Sequence, residues 1–407
     1  MKKKIIVATI AILLIIVIVS IINRSIWLYK VAHAEKIVEL NTSEVPVYEK
    51  NVKLKQLIKT INGKLDTNPT IDTNKKGKQT VKFKYTTDEG YPVKHEVEIK
   101  IVDNEPPIIF EGNKKTVYTN FNGVLSEELS CGDNYDKNPK TIIEGEYNTK
   151  VPGQYNLKFI CQDSSNNKSE KNFTLTVKEK PKSSSSSSTT YYEDTISFET
   201  VKEKYKGSGL QYGIDVSHWD GDINFKKVKK AGVDFVYIRV GRGNGIGEDF
   251  VEDSKFVQNI EGFNKVGIPV GIYFYSNANG NDDVKKEVDW IVKKIKDYKV
   301  DLELVFDWES WDAFQEFDLS FHDMNEMANA FNKEATKKGY KGMLYSSKSK
   351  LLSVWGDLDF PVWLAHYTEQ TDYDGDYIVW QLCENGKVAG IDSSVDIDIR
   401  YPNKNKG

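Results

Sequence analysis

Beyond residue 211 the chain carries eight short apolar runs, at 212–216, 235–240, 269–275, 302–308, 343–346, 362–366, 377–382 and 395–399. The first four gaps between them hold segments of helical length and period, 225–231, 253–266, 282–298 and 320–338. A helix between two strands carries the chain back to the starting end of the sheet, so this alternation predicts a parallel sheet or barrel. The later gaps are too short, or too rich in Asp, Gly and Pro, to be helices. The expected fold of residues 209–407 is therefore an irregular, incomplete α/β barrel of the TIM-like kind.

In parallel α/β barrels the reactive groups sit at the carboxyl ends of the strands. The acids of this half gather there: Asp215 ends the first run, Asp307 and Glu309 end the fourth, and Asp396 lies in the eighth. Strand side chains alternate, so the two carboxyls of Asp307-Trp308-Glu309 face the same way, about 7 Å apart at Cα from a rise of about 3.3 Å per residue. Like charges this close push one pKa upward, leaving one group able to donate a proton while the other stays ionised, as glycoside hydrolysis requires. An isolated Asp-x-Glu is more often a solvated strand end. The weight lies in its company.

The amino-terminal half follows other rules. Residues 5–22 are almost unbroken apolar sequence, preceded by Lys2, Lys3 and Lys4 and followed by Arg24, Trp27 and Tyr29. Eighteen residues at about 1.5 Å rise nearly cross a hydrocarbon core of roughly 30 Å, so residues 1–34 are expected to be a cytoplasmic stub and membrane anchor with the rest of the chain outside. The alternative is a cleaved signal peptide ending near Ala32-His33-Ala34, but the apolar core is long for one and twelve residues separate Ile22 from Ala34. Both readings export the chain.

From residue 35 to about 180 the pattern is strand-like and repeats itself. Asp72-Thr73, Gly77 and Val81-Lys82-Phe83 recur as Asn148-Thr149, Gly153 and Leu157-Lys158-Phe159, a constant offset of 76 residues. Two tandem β-sandwich modules are expected, at 35–103 and 104–180, and the second opens on Pro106-Pro107. Six serines at 183–188 then mark a flexible linker, 181–208. Cys131 and Cys161 fall in one module and are able to pair in an oxidising exterior, while Cys383 stands alone in an apolar run. No Cys-x-x-Cys occurs and the five histidines are scattered, which argues against a zinc site. A net charge of −4 and the lack of a basic run interleaved with aromatics argue against a nucleic-acid partner.

Two resemblances follow from quoted residues. Gly132-Asp133-Asn134-Tyr135-Asp136, Pro152-Gly153-Gln154-Tyr155 and Asp163-Ser164-Ser165-Asn166-Asn167 resemble bacterial immunoglobulin-like surface domains, in which such units are spacers or adhesive modules. Their acidic loops have the composition of a calcium site, but turn formation by Asp and Asn explains them more simply. In the other half, Gly213-Ile214-Asp215-Val216-Ser217-His218-Trp219, Phe235-Val236-Tyr237-Ile238-Arg239, Gly267-Ile268-Pro269-Val270-Gly271-Ile272-Tyr273, Asp307-Trp308-Glu309, Trp363-Leu364-Ala365-His366-Tyr367, Trp380-Gln381 and Val395-Asp396 are similar, in order, to the glycoside hydrolase family 25 lysozymes. That resemblance implies cleavage of the β-1,4 bond from N-acetylmuramic acid to N-acetylglucosamine in peptidoglycan, with no cofactor or metal, and maps the acidic positions onto Asp215, Asp307, Glu309 and Asp396. Where many members have aromatic-His-aromatic after the third strand, this chain has Tyr273-Phe274-Tyr275.

On this basis Glu309, with its longer side chain, is the expected general acid, desolvated by Trp311 and Phe314. Asp307 is the expected ionised partner, either steadying an oxocarbenium-like charge or orienting the sugar's N-acetyl group, and a water-activating role for Asp215 or Asp396 stays open. Tyr273, Tyr275, Trp363, Tyr367 and Gln381 are the expected sugar contacts, although core packing is the commoner fate of a strand aromatic. Two other readings stay open: a wall-binding adhesion protein without catalysis, and a wall-opening component of an assembly or secretion apparatus.

Overall fold

The computed structural model describes residues 2–110, 112–179, 195–356 and 358–402, and the serine run lies outside them. The chain divides into two compact units, Met1–Asn104 and Glu105–Gly407. The first contains the long helix Lys2–Ala32, whose Ile, Leu and Val side chains are exposed from Ile5 to Leu28, and the single turn Leu54–Leu57. The stretch Ile5–Ala32 is long and apolar enough to cross a membrane, and none of its apolar face is buried against protein.

The 76-residue repeat of sequence is a repeat of topology. In the first unit Glu44–Pro46 runs parallel to Pro92–Val102, which pairs antiparallel with Gly77–Thr87, which pairs antiparallel with Gly63–Leu65. In the second unit Lys114–Tyr118, Lys168–Lys178, Gly153–Gln162 and Lys140–Glu144 repeat that order and sense. A two-stranded sheet accompanies each, Val38–Leu40 with Ile58–Ile61 and Ile108–Ile109 with Cys131–Gly132. Alternation supplies the cores: along Gly77–Thr87 Val81, Phe83 and Tyr85 are buried while Lys78, Lys82 and Lys84 face water. Cys131 and Cys161 form a disulfide in the second core. Asp133 and Asp163 make Asx turns, each Oδ1 accepting from two backbone N–H groups, those of Tyr135 and Asp136 and those of Ser165 and Asn167.

All eight strands expected in the carboxy-terminal half form: β1 (Gln211–Val216), β2 (Phe235–Gly243), β3 (Val270–Ser276), β4 (Leu304–Trp308), β5 (Gly342–Ser347), β6 (Val362–Ala365), β7 (Val379–Gly386) and β8 (Val395–Arg400). Each pairs with the next and β8 pairs back onto β1, so the ring is closed, and a short strand Phe250–Glu252 extends β2 outside it. The incompleteness expected from sequence belongs to the helical layer. Helices α1 (Phe225–Lys230), α2 (Phe256–Val266), α3 (Asn281–Ile295) and α4 (Phe321–Lys337) pack outside, with the short helices Phe198–Lys204, which lies within the expected linker, and Lys348–Leu351 beside them, and among the described residues no helix separates β6 from β7 or β7 from β8. Strands β1 to β7 are mutually parallel but β8 is antiparallel to both neighbours. The gap 387–394 explains this, being too short for the crossover a parallel strand needs.

Local signals place the helices. Asn224 caps α1 by accepting from the Lys227 amide, and Ser320 and Asp323 form a capping box on α4. Phe321, Met324, Ala328, Phe331 and Ala335 recur at helical spacing and bury α4 against the barrel. Inside the ring Phe235, Tyr237, Val305, Met343, Trp363 and Val379 form a separate core. Below it Glu303 accepts from the Tyr237 hydroxyl at 2.6 Å and the Arg400 guanidinium at 2.7 Å, closing the end opposite the acids.

Candidate active site

Trp308 aims its neighbours. Its side chain points outward, fully buried, with Nε1 donating to the Ala278 carbonyl at 3.2 Å and its ring against Trp311 and Phe317. Alternation then turns Asp307 into the barrel mouth, beside Tyr275 of β3 and Tyr345 of β5. Glu309 lies just past the strand, exposed on a cavity of about 600 Å³ also lined by Trp311, Tyr345, Lys348, His366 and Tyr367. The two carboxyls interact, and each alters the other's affinity for a proton.

Depth divides this pair. Asp307, 5% exposed, is held well above the usual carboxylate range by burial first and the charge of Glu309 second. Glu309 is raised by burial, and its hydrogen bond with Asp307 works the other way. Of the two, the deeper Asp307 is the more strongly raised and holds a proton the more readily. Spacing along a strand reports which way two acids face but not how deep each lies, so this difference was not part of the expectation.

A second acid group faces the first across the mouth. Asp215 of β1 pairs in register with Asp396 of the reversed strand β8. Gln381 of β7 ties them together, its Nε2 donating to Asp215 Oδ2 at 2.8 Å and Asp396 Oδ2 at 3.0 Å. Its Oε1 accepts from the hydroxyls of Tyr345 at 2.7 Å and Tyr367 at 3.1 Å. One amide thus orders two acids and two phenols. Burial, then the charge of Asp215, pushes Asp396 up to about 9. Asp215 is raised well above its usual range by burial and then Asp398, and Asp398 by burial and then Asp396. A cation offsets this crowding. Arg239 lowers the Asp307 pKa and is held by Asp253, whose Oδ2 accepts from Arg239 Nε at 2.9 Å and from the His218 amide at 3.1 Å.

Among the expected sugar contacts, Tyr273 and Tyr275 are half-buried on β3 and Tyr367 is 50% exposed beside the cavity. Trp363 and Gln381 require correction. Trp363 is 2% exposed, packed inside the ring against Tyr237, Tyr273 and Tyr345, with Nε1 donating to Asp398 Oδ1 at 2.8 Å, so no ring face is left for a sugar. Gln381 is equally buried and spends its amide on the four side chains already named. Asp398 was not anticipated, although Asp396-Ile397-Asp398 obeys the same alternation as Asp307-Trp308-Glu309. The Arg239, His218 and Asp253 cluster joins three separate segments, and the only hint of it was one cation in the apolar run of β2.

The carboxy-terminal half is similar to known proteins. An autolytic lysozyme of Clostridium acetobutylicum is 27% identical over 191 residues, covering 46% of this chain and 54% of that protein. Lysozyme M1 of Streptomyces globisporus is 28% identical over 203 residues, covering 46% and 67%. The chain thus spans about half the length of the first of these relatives. A solved bacterial lysozyme from Streptomyces coelicolor aligns with a TM-score of 0.39 at 23% identity, covering 47% of this chain and 92% of that one. Residues 214–391 match the model of glycosyl hydrolases family 25. The barrel that carries Asp215, Asp307 and Glu309 is therefore a glycosyl hydrolase family 25 domain.

Proposed function

We propose that the protein is a 1,4-β-N-acetylmuramidase, a peptidoglycan hydrolase anchored in the cell membrane by the helix Lys2–Ala32 with its barrel outside the cell. The observation that carries this reading is the interacting pair of Asp307, buried in the barrel mouth, and Glu309, which lines an open cavity. When a glycan strand covers Glu309 it loses water, and the proton held by Asp307 passes to it. Glu309 then protonates the glycosidic oxygen as the bond to the anomeric carbon breaks and its electron pair goes to that oxygen. The same transfer leaves Asp307 ionised as positive charge grows on the sugar. A carboxylate too buried to ionise alone is most stabilised when a cation appears beside it, so its interaction is strongest in the transition state.

Whether Asp307 acts on the anomeric carbon directly or through the N-acetyl group, water completes the reaction and returns a proton to the pair. Asp215 and Asp396, ordered by Gln381, would serve the far side of the sugar, and Tyr275 and Tyr367 its rings. The upstream repeats are proposed to be immunoglobulin-like modules. The closed strand ring and outer helices support the description of a TIM-like barrel.

The test is incubation of the full chain with purified peptidoglycan and analysis of the reducing ends released. Muramic acid ends are expected, glucosamine ends would reassign the bond, and no release would leave a wall-binding protein.

A further inference from the structure

The β module at 105–179 is packed onto the barrel within one compact unit, at the segment that follows Glu309. Its Phe110 ring lies 5.5 Å from Trp311, 5.4 Å from Phe314 and 5.9 Å from Phe321, all on the barrel. Lys350 of the barrel places Nζ 3.5 Å above the Phe110 ring and 4.7 Å above Trp311. Next to the disulfide, Gly132 presses so close that a Cβ there would stand 2.5 Å from Phe321 and 2.7 Å from Phe314. The module also completes a helix: the amides of Phe321 and His322, the first of α4, donate to the carbonyls of Asp133 at 2.8 Å and Asn134 at 3.3 Å. Gln315 Nε2 donates to the Pro139 carbonyl at 3.1 Å, and Lys137 pairs with Asp323 at 3.3 Å.

These contacts converge on the 3-10 turn Trp311–Phe317. Trp311 donates its amide to the Glu309 carbonyl at 2.7 Å, packs on Trp308 and forms part of the cavity wall beside Glu309. From the module, the route to the acid is two aromatic rings long. A side chain that must approach a glycosidic oxygen within hydrogen-bond reach needs such a rigid support.

We propose that Phe110 and Gly132 are positioning residues for Glu309, so that the β module preceding the linker is a working part of the hydrolase and not a spacer. This rests on the muramidase reading above. The experiment uses the full chain and soluble peptidoglycan fragments, comparing wild type, Glu309→Gln, Phe110→Ala, Phe110→Leu and, as a control on the module's exposed surface, Tyr147→Ala. Phe110→Ala is expected to lower kcat by roughly tenfold with KM nearly unchanged. It should also shift the limb of the kcat–pH profile that Glu309 governs, because Trp311, which lines the cavity beside the acid, loses the ring that backs it. Phe110→Leu should restore most of kcat, and Tyr147→Ala should match wild type.

A folded Phe110→Ala protein with wild-type kcat and pH profile would overturn the proposal, as would a rise in KM at constant kcat. If Phe110→Ala fails to fold, Gln315→Ala, which removes only the bond to Pro139, carries the same test with the same two outcomes. An inactive wild type, or a fully active Glu309→Gln, would instead defeat the muramidase reading, so the two failures are distinguishable.

Discussion

At the scale of the residue, the barrel mouth is a study in carboxyls that cannot all ionise. Glu309→Gln keeps the shape but not the transferable proton, so we expect kcat to fall at least about a hundredfold while KM changes little, as steady-state assays on peptidoglycan fragments would register. Asp396 makes a second prediction through its pKa of about 9, against 3.8 for the ordinary group. Below about pH 3.8 both folded and unfolded chains hold this proton. Between there and about pH 9 the unfolded chain releases it and the folded chain keeps it, so stability falls as pH rises. Asp396→Asn removes that fall. The variant should match wild type in melting temperature near pH 4 and exceed it increasingly toward pH 8, and an equal difference at both pH values would refute the assignment. Sequence made Asp215, Asp307, Glu309 and Asp396 legible, because alternation and strand ends report direction. It did not report depth. Trp363 and Gln381 share strand-end character with Tyr275 and Tyr367, yet one pair lies inside the ring and the other at the cavity or beside Asp307.

At the scale of the element, short-range signals sufficed for the strands and caps but not for the sense of β8, which only the length of the preceding gap discloses. The 76-residue repeat was legible as two β modules because each Gly opens an equivalent long strand. Two buried groups give tests here. Glu287 of α3 accepts from the Ser276 hydroxyl at 2.9 Å and is pushed from 4.5 up to about 8 by burial. The folded state loses stability as pH climbs from about 4.5 to about 8, so Glu287→Gln should raise the melting temperature at pH 8 and leave it nearly unchanged at pH 5. The Cys131–Cys161 bridge closes a loop of 30 residues. Replacing both by serine should destabilise the second unit by about 3 kcal/mol in denaturant titration under oxidising conditions, mainly by freeing the unfolded chain.

At the scale of the whole molecule, the proposed anchor is the exposed apolar helix Lys2–Ala32, which is long and apolar enough to cross a membrane. Deleting residues 1–34 should move the protein from the membrane fraction to the soluble one without altering its rate on soluble fragments. Release of the full chain by high salt alone would argue against an anchor. The packing of the 105–179 module on the barrel was not legible, since it depends on Phe110 and Gly132 meeting Phe314 and Phe321 far along the chain, and no local pattern records such a meeting.

The reversed strand β8 carries a final consequence. It is wedged between β7 and β1 and brings Asp396 and Asp398 to the acids of β1, so everything upstream of Val395 can be synthesised while the ring remains unsealed. Closure of the ring, and with it the gathering of Asp215 beside Asp396, therefore waits on Val395–Arg400, the last of the eight barrel strands in chain order.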